Sequence, residues 1–152
     1  IMRDSDGDII YDTTKYRHIF DEDKQEAQLT FFGMHLLDVY PKATIKLVES
    51  EKTAVLMSVF RPDLTWMATM GLGNLNQYKL QPLIEKGVTI VCHPDKDGYD
   101  KWRAQVEKIR KDCQQADISV SDYVEKAWMP GDSPHADILD MMERDFMLLY
   151  NA

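Results

Sequence analysis

Short apolar runs and amphipathic stretches alternate along most of the chain. Apolar runs rich in β-branched residues predict buried strands, whereas apolar residues repeating every three or four positions predict helices. The predicted strands are Thr44–Val48, Thr65–Thr69, Val88–Cys92 and Ile118–Val120. The predicted helices are Lys52–Phe60, Gln77–Glu85, Tyr99–Gln114 and Ala136–Tyr150. This alternation is typical of βαβ units and predicts an α/β fold: a mainly parallel sheet of about four strands with helices on both faces.

The start of the chain does not follow this alternation. Residues 1–28 are polar and charged, and Asp6-Gly7 predicts a tight turn between two short extended pieces, Met2–Ser5 and Asp8–Asp12. These pieces are expected to form an appendage to the domain, or the tail of a preceding segment of a longer polypeptide.

A packing helix is predicted next. Apolar residues from Leu29 to Val39 follow helical spacing, and Pro41 closes the segment because proline cannot continue a helix. We therefore expect an N-terminal appendage with its packing helix over residues 1–42, followed by the α/β domain over residues 43–152.

Composition restricts the classes of function. The 152-residue chain is 44% hydrophobic, which suits one compact domain. Its net charge of −8 argues against non-specific coating of nucleic acid, so contacts with nucleic acid are expected to be local. The two cysteines form no CxxC pair, and no apolar run has membrane-spanning length. A cytoplasmic location without membrane partners is therefore the expectation.

Carboxylates stand at the carboxyl ends of two predicted strands. Glu49 directly follows the first strand, and Asp95 and Asp97 follow the third. Parallel strands align their carboxyl ends, so these side chains are expected to converge. Carboxylate clusters suit Mg²⁺ and phosphoryl transfer, in which Glu49 could act as general acid or base. In the structural alternative, Glu49 is an acid that favours the start of the next helix, and Asp95–Gly98 (Asp-Lys-Asp-Gly) is a solvated turn.

Other charged residues extend the predicted site. Asp137 is expected to complete the acidic cluster, although an acid at a helix start has an equally good structural explanation. Lys52, Lys96 and Lys101 are candidates for contact with substrate phosphate. The helix after the aspartates is either a nucleic-acid contact or a solvated face that pairs with its own acids. Its basic residues are Lys101, Arg103, Lys108, Arg110 and Lys111.

Three segments together resemble the Toprim domain, namely Leu47–Ala54 (LVESEKTA), Trp66–Gly71 (WMATMG) and Val91–Gly98 (VCHPDKDG). In that family a glutamate follows the first strand, a turn with small residues and glycine follows the second, and Asp-x-Asp follows the third. The resemblance runs from about Thr44 to Met142 and is closest to the primase-like DNA replication proteins of bacterial mobile elements.

The resemblance implies a Toprim-like, Rossmann-like fold and nucleotidyl transfer that depends on Mg²⁺, with Mn²⁺ as the alternative ion. Glu49, Asp95 and Asp97 would then be the catalytic and metal-binding residues. DNA or RNA, nucleotides and further domains of a longer polypeptide, such as a zinc-binding segment or a helicase, would be the partners. Tyr99 stands where topoisomerases carry a third aspartate, which favours the primase and nuclease branches. Ser50 replaces the usual glycine.

Other functions fit parts of the same pattern. An OLD-type Toprim nuclease would use the same carboxylates, and a non-catalytic Toprim-like module would keep the fold for DNA binding or docking. Asp-x-Asp-Gly also opens the active site of haloacid-dehalogenase-like phosphatases. That motif normally begins its domain, whereas here the matching Glu49 lies upstream of Asp95.

Overall fold

Strands and helices alternate along the described part of the chain. The computed structural model describes residues 30–40 and 44–150. The strands are β1 (Ile45–Val48), β2 (Thr65–Ala68), β3 (Ile90–Cys92) and β4 (Ile118–Val120). The helices are α1 (Leu36–Val39), α2 (Glu51–Phe60), α3 (Gln77–Glu85), α4 (Tyr99–Asp112), α5 (Tyr123–Ala127) and α6 (Ile138–Tyr150). Short 3₁₀ turns at Leu72–Asn74 and Lys96–Gly98 follow β2 and β3.

The four strands form one sheet in the order β2-β1-β3-β4, and every neighbouring pair is parallel. Ile45 of β1 pairs with Thr65 on one side and with Ile90 on the other. The chain leaves β1 towards β2 and leaves β3 towards β4, in opposite directions across the sheet. The sheet therefore has its switch point between β1 and β3, and its architecture confirms the predicted Toprim-like, Rossmann-like α/β class.

Helices cover both faces of the sheet, which explains why its strands are nearly continuous apolar runs. Successive residues of a strand point to opposite faces, so Leu47 enters one core and Val48 the other. The first core includes Leu37 from α1, Leu80 from α3 and Trp102 from α4. The second core is formed by α2, α5 and α6, through residues Ala54, Met57, Val124, Leu139 and Met141.

The packing helix predicted from Leu29 to Val39 is wrong over residues 30–35. Phe32 instead pairs with Ala68 at the edge of β2, through N–H···O bonds of 2.9 and 3.0 Å in the two directions. Gly33 follows with φ of 85°, a left-handed conformation that ends regular structure and favours glycine. Only Leu36–Val39 is helical. Its buried Leu37 packs into the first core.

Most other boundaries agree with the predicted ones. α3 and β4 have the predicted bounds, whereas β3 begins at Ile90 and α4 ends at Asp112. Helix α5 was not predicted, because its five residues are too few to show helical periodicity. The predicted extended pieces before residue 29 lie outside the described residues. No helix among the described residues has the length and apolar character that a membrane span requires.

Candidate functional site

The turn after β2 holds Glu49 at the carboxyl end of β1. The Glu49 carbonyl accepts hydrogen bonds from the Met70 and Gly71 N–H groups, at 3.0 and 3.3 Å. The backbone is left-handed at both donors, with φ of 60° at Met70 and 127° at Gly71. The Leu72 N–H donates to the Glu49 carboxylate. Burial raises the pKa of Glu49; the Leu72 N–H opposes this shift and the nearby Asp97 carboxylate adds to it.

Asp95 lies at the centre of the acidic cluster. Burial is the largest cause that raises the pKa of Asp95, and the charges of Glu49, Asp137, Asp97 and Asp140 add to it, so that the pKa reaches about 7. Its carboxylate has no hydrogen-bond partner among the described residues. The carboxylates that follow β1 and β3 therefore lie close enough to repel one another, as the sequence predicts.

Close packing at Gly98 shows how tightly the three loops meet. A Cβ atom at this position would lie 2.8 Å from Leu72 Cδ1 and 3.8 Å from Glu49 Oε2. A side chain here would force the Leu72 side chain to shift, so the loop after β3 packs closely against the loops after β1 and β2.

The segment before α6 joins the same edge. The carbonyl of Ala136 accepts a 2.9 Å hydrogen bond from the Lys96 N–H, which ties this segment to the loop after β3. His135 Nδ1 lies 2.8 Å from Asp97 Oδ2. His135 was not predicted as a site residue. The only signal in the sequence that His135 lies near the site is its position two residues before Asp137.

Asp137 belongs both to the acidic cluster and to the start of α6. Its Oδ1 accepts hydrogen bonds from the Leu139 and Asp140 N–H groups, at 2.8 and 3.0 Å, while its own N–H donates to Asp140 Oδ2. Its Oδ2 accepts a hydrogen bond from the Thr53 hydroxyl of α2. The sequence left two alternatives for Asp137, a member of the acidic cluster or an acid at the start of a helix, and Asp137 is both. Thr53, in the first turn after Glu49, is a second neighbour that sequence reasoning missed.

The three candidate phosphate-binding lysines differ in their surroundings. The Lys96 ammonium is bonded to Glu125 and lies 5.5 Å from the centre of the Trp128 ring, so both of its partners belong to α5 and the residue after it. Lys101 is close enough to Glu49 to influence its pKa. Lys52 is exposed in the first turn of α2, without a hydrogen-bond or ion-pair partner in the described ranges.

His93, between β3 and Asp95, has a packing role. Its side chain is buried, its ring centre lies 5.7 Å from that of Trp66, and neither ring nitrogen has a partner among the described residues. Burial and, to a smaller extent, the Lys46 charge lower the pKa of His93 to about 4. At neutral pH His93 is therefore a neutral imidazole packed against the Trp66 ring.

The donor set fits a hard divalent cation in its chemistry. The candidate ligands Glu49, Asp95, Asp97 and Asp137 offer only carboxylate oxygens, which Mg²⁺ prefers, and their mutual repulsion would be relieved by positive charge. Among the described residues, no three Asp, Glu, His or Cys side chains are arranged so that they could hold an ion together.

The fold and the site define an α/β domain with an acidic cluster at the switch point of a parallel sheet. The chain belongs to the family described as "Domain of unknown function (DUF6371)", whose model matches residues 4–96. The match includes Glu49 and Asp95 and ends one residue before Asp97. Comparison with curated proteins and with solved structures finds no match.

Proposed function

We propose that this domain catalyses Mg²⁺-dependent phosphoryl or nucleotidyl transfer on nucleic acid, as the Toprim-like catalytic domain of a primase-like DNA replication protein. The observation that supports the proposal is the acidic cluster itself. Glu49 and Asp95 follow neighbouring strands at the switch point, and the repulsion among the carboxylates contributes to an Asp95 pKa of about 7. A cluster of carboxylates that repel one another in the folded domain is characteristic of a site built for cations or for catalysis.

Each carboxylate has its own role in the proposed reaction. Asp95 and Asp97 hold the cation, with Asp137 as a further ligand at the start of α6. Mg²⁺, or Mn²⁺ in its place, supplies positive charge that polarises a substrate phosphate. Glu49 has its pKa raised by burial and holds or transfers the proton of the attacking or leaving oxygen.

Lysine side chains complete the proposed site. Lys101, close to Glu49, binds a substrate phosphate at the mouth of the site, and the exposed Lys52 can reach the same substrate from α2. Lys96 acts differently, because its ion pair with Glu125 and its cation–π contact with Trp128 fix the loop that carries Asp95 and Asp97.

Two kinds of substitution test the proposal in the polypeptide that carries this domain. Asp95→Asn with Asp97→Asn removes charge and preserves shape, so Mg²⁺ affinity by calorimetry and metal-dependent activity should both fall. Glu49→Gln should lower turnover by roughly 10²–10⁴-fold with a smaller loss of metal affinity. Asp100→Asn with Asp112→Asn, which removes two exposed carboxylates from α4, is the charge-matched control for the double variant, and Asp100→Asn alone is the control for Glu49→Gln. Full activity in the double variant would contradict the proposal.

A non-catalytic Toprim-like module for DNA binding or docking is the second candidate, and specific contacts favour it. Asp97 is engaged by His135, and Asp137 caps α6 and binds Thr53. In such a module the carboxylates hold the loops together. The double variant would then lose stability rather than activity, and neither Mg²⁺ nor Mn²⁺ would bind to the unsubstituted protein.

A further inference from the structure

A groove of about 230 Å³ runs between α4 and β4, on the side of α4 that faces the edge of the sheet. Ser119 and Val120 of β4 form one wall. On the other wall, Tyr99, Arg103 and Arg110 project from α4, with Val106 and Glu107 on the turn between the two arginines. The acidic residues assigned to catalysis do not line this groove, which is therefore separate from the acidic cluster.

The groove opens next to the acidic cluster. Tyr99, its first residue, is separated from Asp97 by Gly98 alone, and Val120 ends β4 at the same edge of the sheet as Glu49. From Tyr99 to Arg110 the helix rises about 16 Å, which is enough for a few nucleotides of a single strand. A strand lying in the groove would therefore have one end at the catalytic edge.

Positive charge is concentrated on this helix, although the chain as a whole carries −8. Five of the 18 lysines and arginines lie on α4. Arg103 and Arg110 line the groove, and Arg110 has no hydrogen-bond or ion-pair partner among the described residues. Guanidinium groups donate pairs of hydrogen bonds to phosphate oxygens, and an aromatic ring such as that of Tyr99 can stack on a base.

Glu107 is the one acid that lines the groove. It lies 3.6 Å from Arg103, and both side chains are about 60% exposed. An ion pair as exposed as this one contributes little, so a phosphate can displace the glutamate from Arg103. Glu107 therefore tunes the affinity of the groove without blocking it.

We propose that the α4–β4 groove binds the phosphate backbone of single-stranded nucleic acid and guides it to the acidic site. The guiding role rests on the proposed function, whereas strand binding does not. An acidic peptide is the competing ligand, because it too would pair with Arg103 and Arg110. The aromatic ring at the mouth and the continuity with the carboxylate edge favour nucleic acid.

Fluorescence anisotropy of a short labelled oligothymidylate, titrated with the protein in EDTA at low salt, tests strand binding. Arg103→Gln with Arg110→Gln should weaken binding about tenfold or more. The slope of log K against log[salt] should fall by about 1.4, because two arginines no longer neutralise phosphates. Glu107→Gln should tighten binding by a few-fold, because it removes a carboxylate beside the phosphates. Circular dichroism melts confirm that each variant is folded.

The matched control removes two positive charges from the opposite edge of the sheet. Arg61→Gln with Lys86→Gln changes exposed, ion-paired residues that directly follow α2 and α3, and it should alter binding by less than the groove variant. Equal weakening by both double variants would overturn the proposal. The proposal would also be overturned if the protein bound a labelled polyglutamate peptide through Arg103 and Arg110 but did not bind oligothymidylate.

The acidic double variant separates this proposal from the proposed function. Asp95→Asn with Asp97→Asn should still bind oligothymidylate in EDTA, since strand binding needs no metal. If activity is lost in that variant while the groove variant binds normally, the groove proposal is wrong and the catalytic proposal stands. If strand binding depends on Arg103 and Arg110 while activity persists without the two aspartates, the groove proposal stands and the catalytic proposal is wrong.

Discussion

At the scale of single residues, burial and charge act most strongly on Asp95. Its half-buried carboxylate lies among four other acids and accepts no hydrogen bond from the described residues. A carboxylate without donors cannot offset the loss of hydration, and nearby negative charge adds to the cost. The folded state therefore favours the protonated form of Asp95, whose pKa of about 7 lies well above the ordinary value of 3.8.

Asp95→Asn should stabilise the metal-free protein in a pH-dependent way. Because the folded pKa is raised, the ionised carboxylate destabilises the fold; the penalty is absent below about pH 4, grows between pH 4 and 7, and is complete above pH 7. After allowance for solvent screening, we expect a gain of roughly 1–2 kcal/mol in the free energy of unfolding at pH 8. Urea denaturation at pH 8 and pH 4.5 measures it.

The gain should shrink to a small fraction of its value at pH 4.5, since the wild-type carboxyl is by then largely protonated. Asp112→Asn, at the exposed C-terminal end of α4, is the control that removes the same charge outside the cluster. A stabilisation of equal size at both pH values would show that burial and neighbouring charges do not act on Asp95 in this way.

The strand ends explain which site residues the sequence could predict. Glu49 directly follows one apolar run, and Asp95 and Asp97 lie in the loop after another, so the alignment of parallel strands is enough to bring them together. His135 and Thr53 lack such a signal. Their contacts with Asp97 and Asp137 depend on how the segment before α6 folds back over the sheet, which is set by tertiary packing.

At the scale of elements, the segment before α1 shows how tertiary contacts override local periodicity. Its apolar spacing suits a helix, yet Phe32 pairs with Ala68 and extends the edge of β2. Gly33 makes this possible, because its φ of 85° turns the chain towards α1. The backbone also approaches closely here, since a Cβ at Gly33 would lie 3.1 Å from the Trp66 carbonyl oxygen.

Gly33→Ala should therefore destabilise the protein by about 1–3 kcal/mol, from left-handed backbone strain together with the contact to a carbonyl that cannot move freely. Gly73→Ala is the matched control, because its φ is not in the left-handed region and a Cβ there meets nothing within 4 Å. Thermal melting of both variants checks the prediction. Equal melting temperatures for the two variants would mean that the Phe32 pairing contributes little to stability.

Elements that turn residues mark on both sides were predicted with the correct bounds, for a physical reason. Helix α3 and strand β4 have the predicted bounds, since each is marked by turn residues on both sides. Helix α5 is too short for its pattern to be seen, and missing it had a consequence for the site. Without α5 the sequence could not show that Lys96 binds Glu125.

At the scale of the whole molecule, the sheet concentrates negative charge at one edge. The loops after β1 and β3, together with the start of α6, bring Asp95 and four other carboxylates into one electrostatic cluster. The cores on both faces keep these loops close, so the repulsion among the carboxylates destabilises the folded state. A ligand that neutralises this edge should therefore stabilise the entire domain and not only its loops.

Mg²⁺ should accordingly stabilise the protein more at high pH than at low pH. At pH 8 Asp95 is ionised, and Mg²⁺ at ten times its Kd adds about 1.4 kcal/mol to the free energy of unfolding. At pH 5.5 the cation must displace a proton from a group of pKa about 7, which weakens binding roughly thirtyfold, so the same Mg²⁺ concentration should add less than about 0.3 kcal/mol.

Chemical denaturation with and without MgCl₂ at the two pH values measures the difference, with NaCl at equal ionic strength to separate site binding from general screening. Asp95→Asn combined with Asp97→Asn should remove the Mg²⁺-specific part at pH 8, because two of the proposed ligands are then neutral. Stabilisation that is independent of pH, or that survives in the double variant, would mean that Mg²⁺ binds elsewhere. The acidic edge would then be a structural feature, as the non-catalytic module requires.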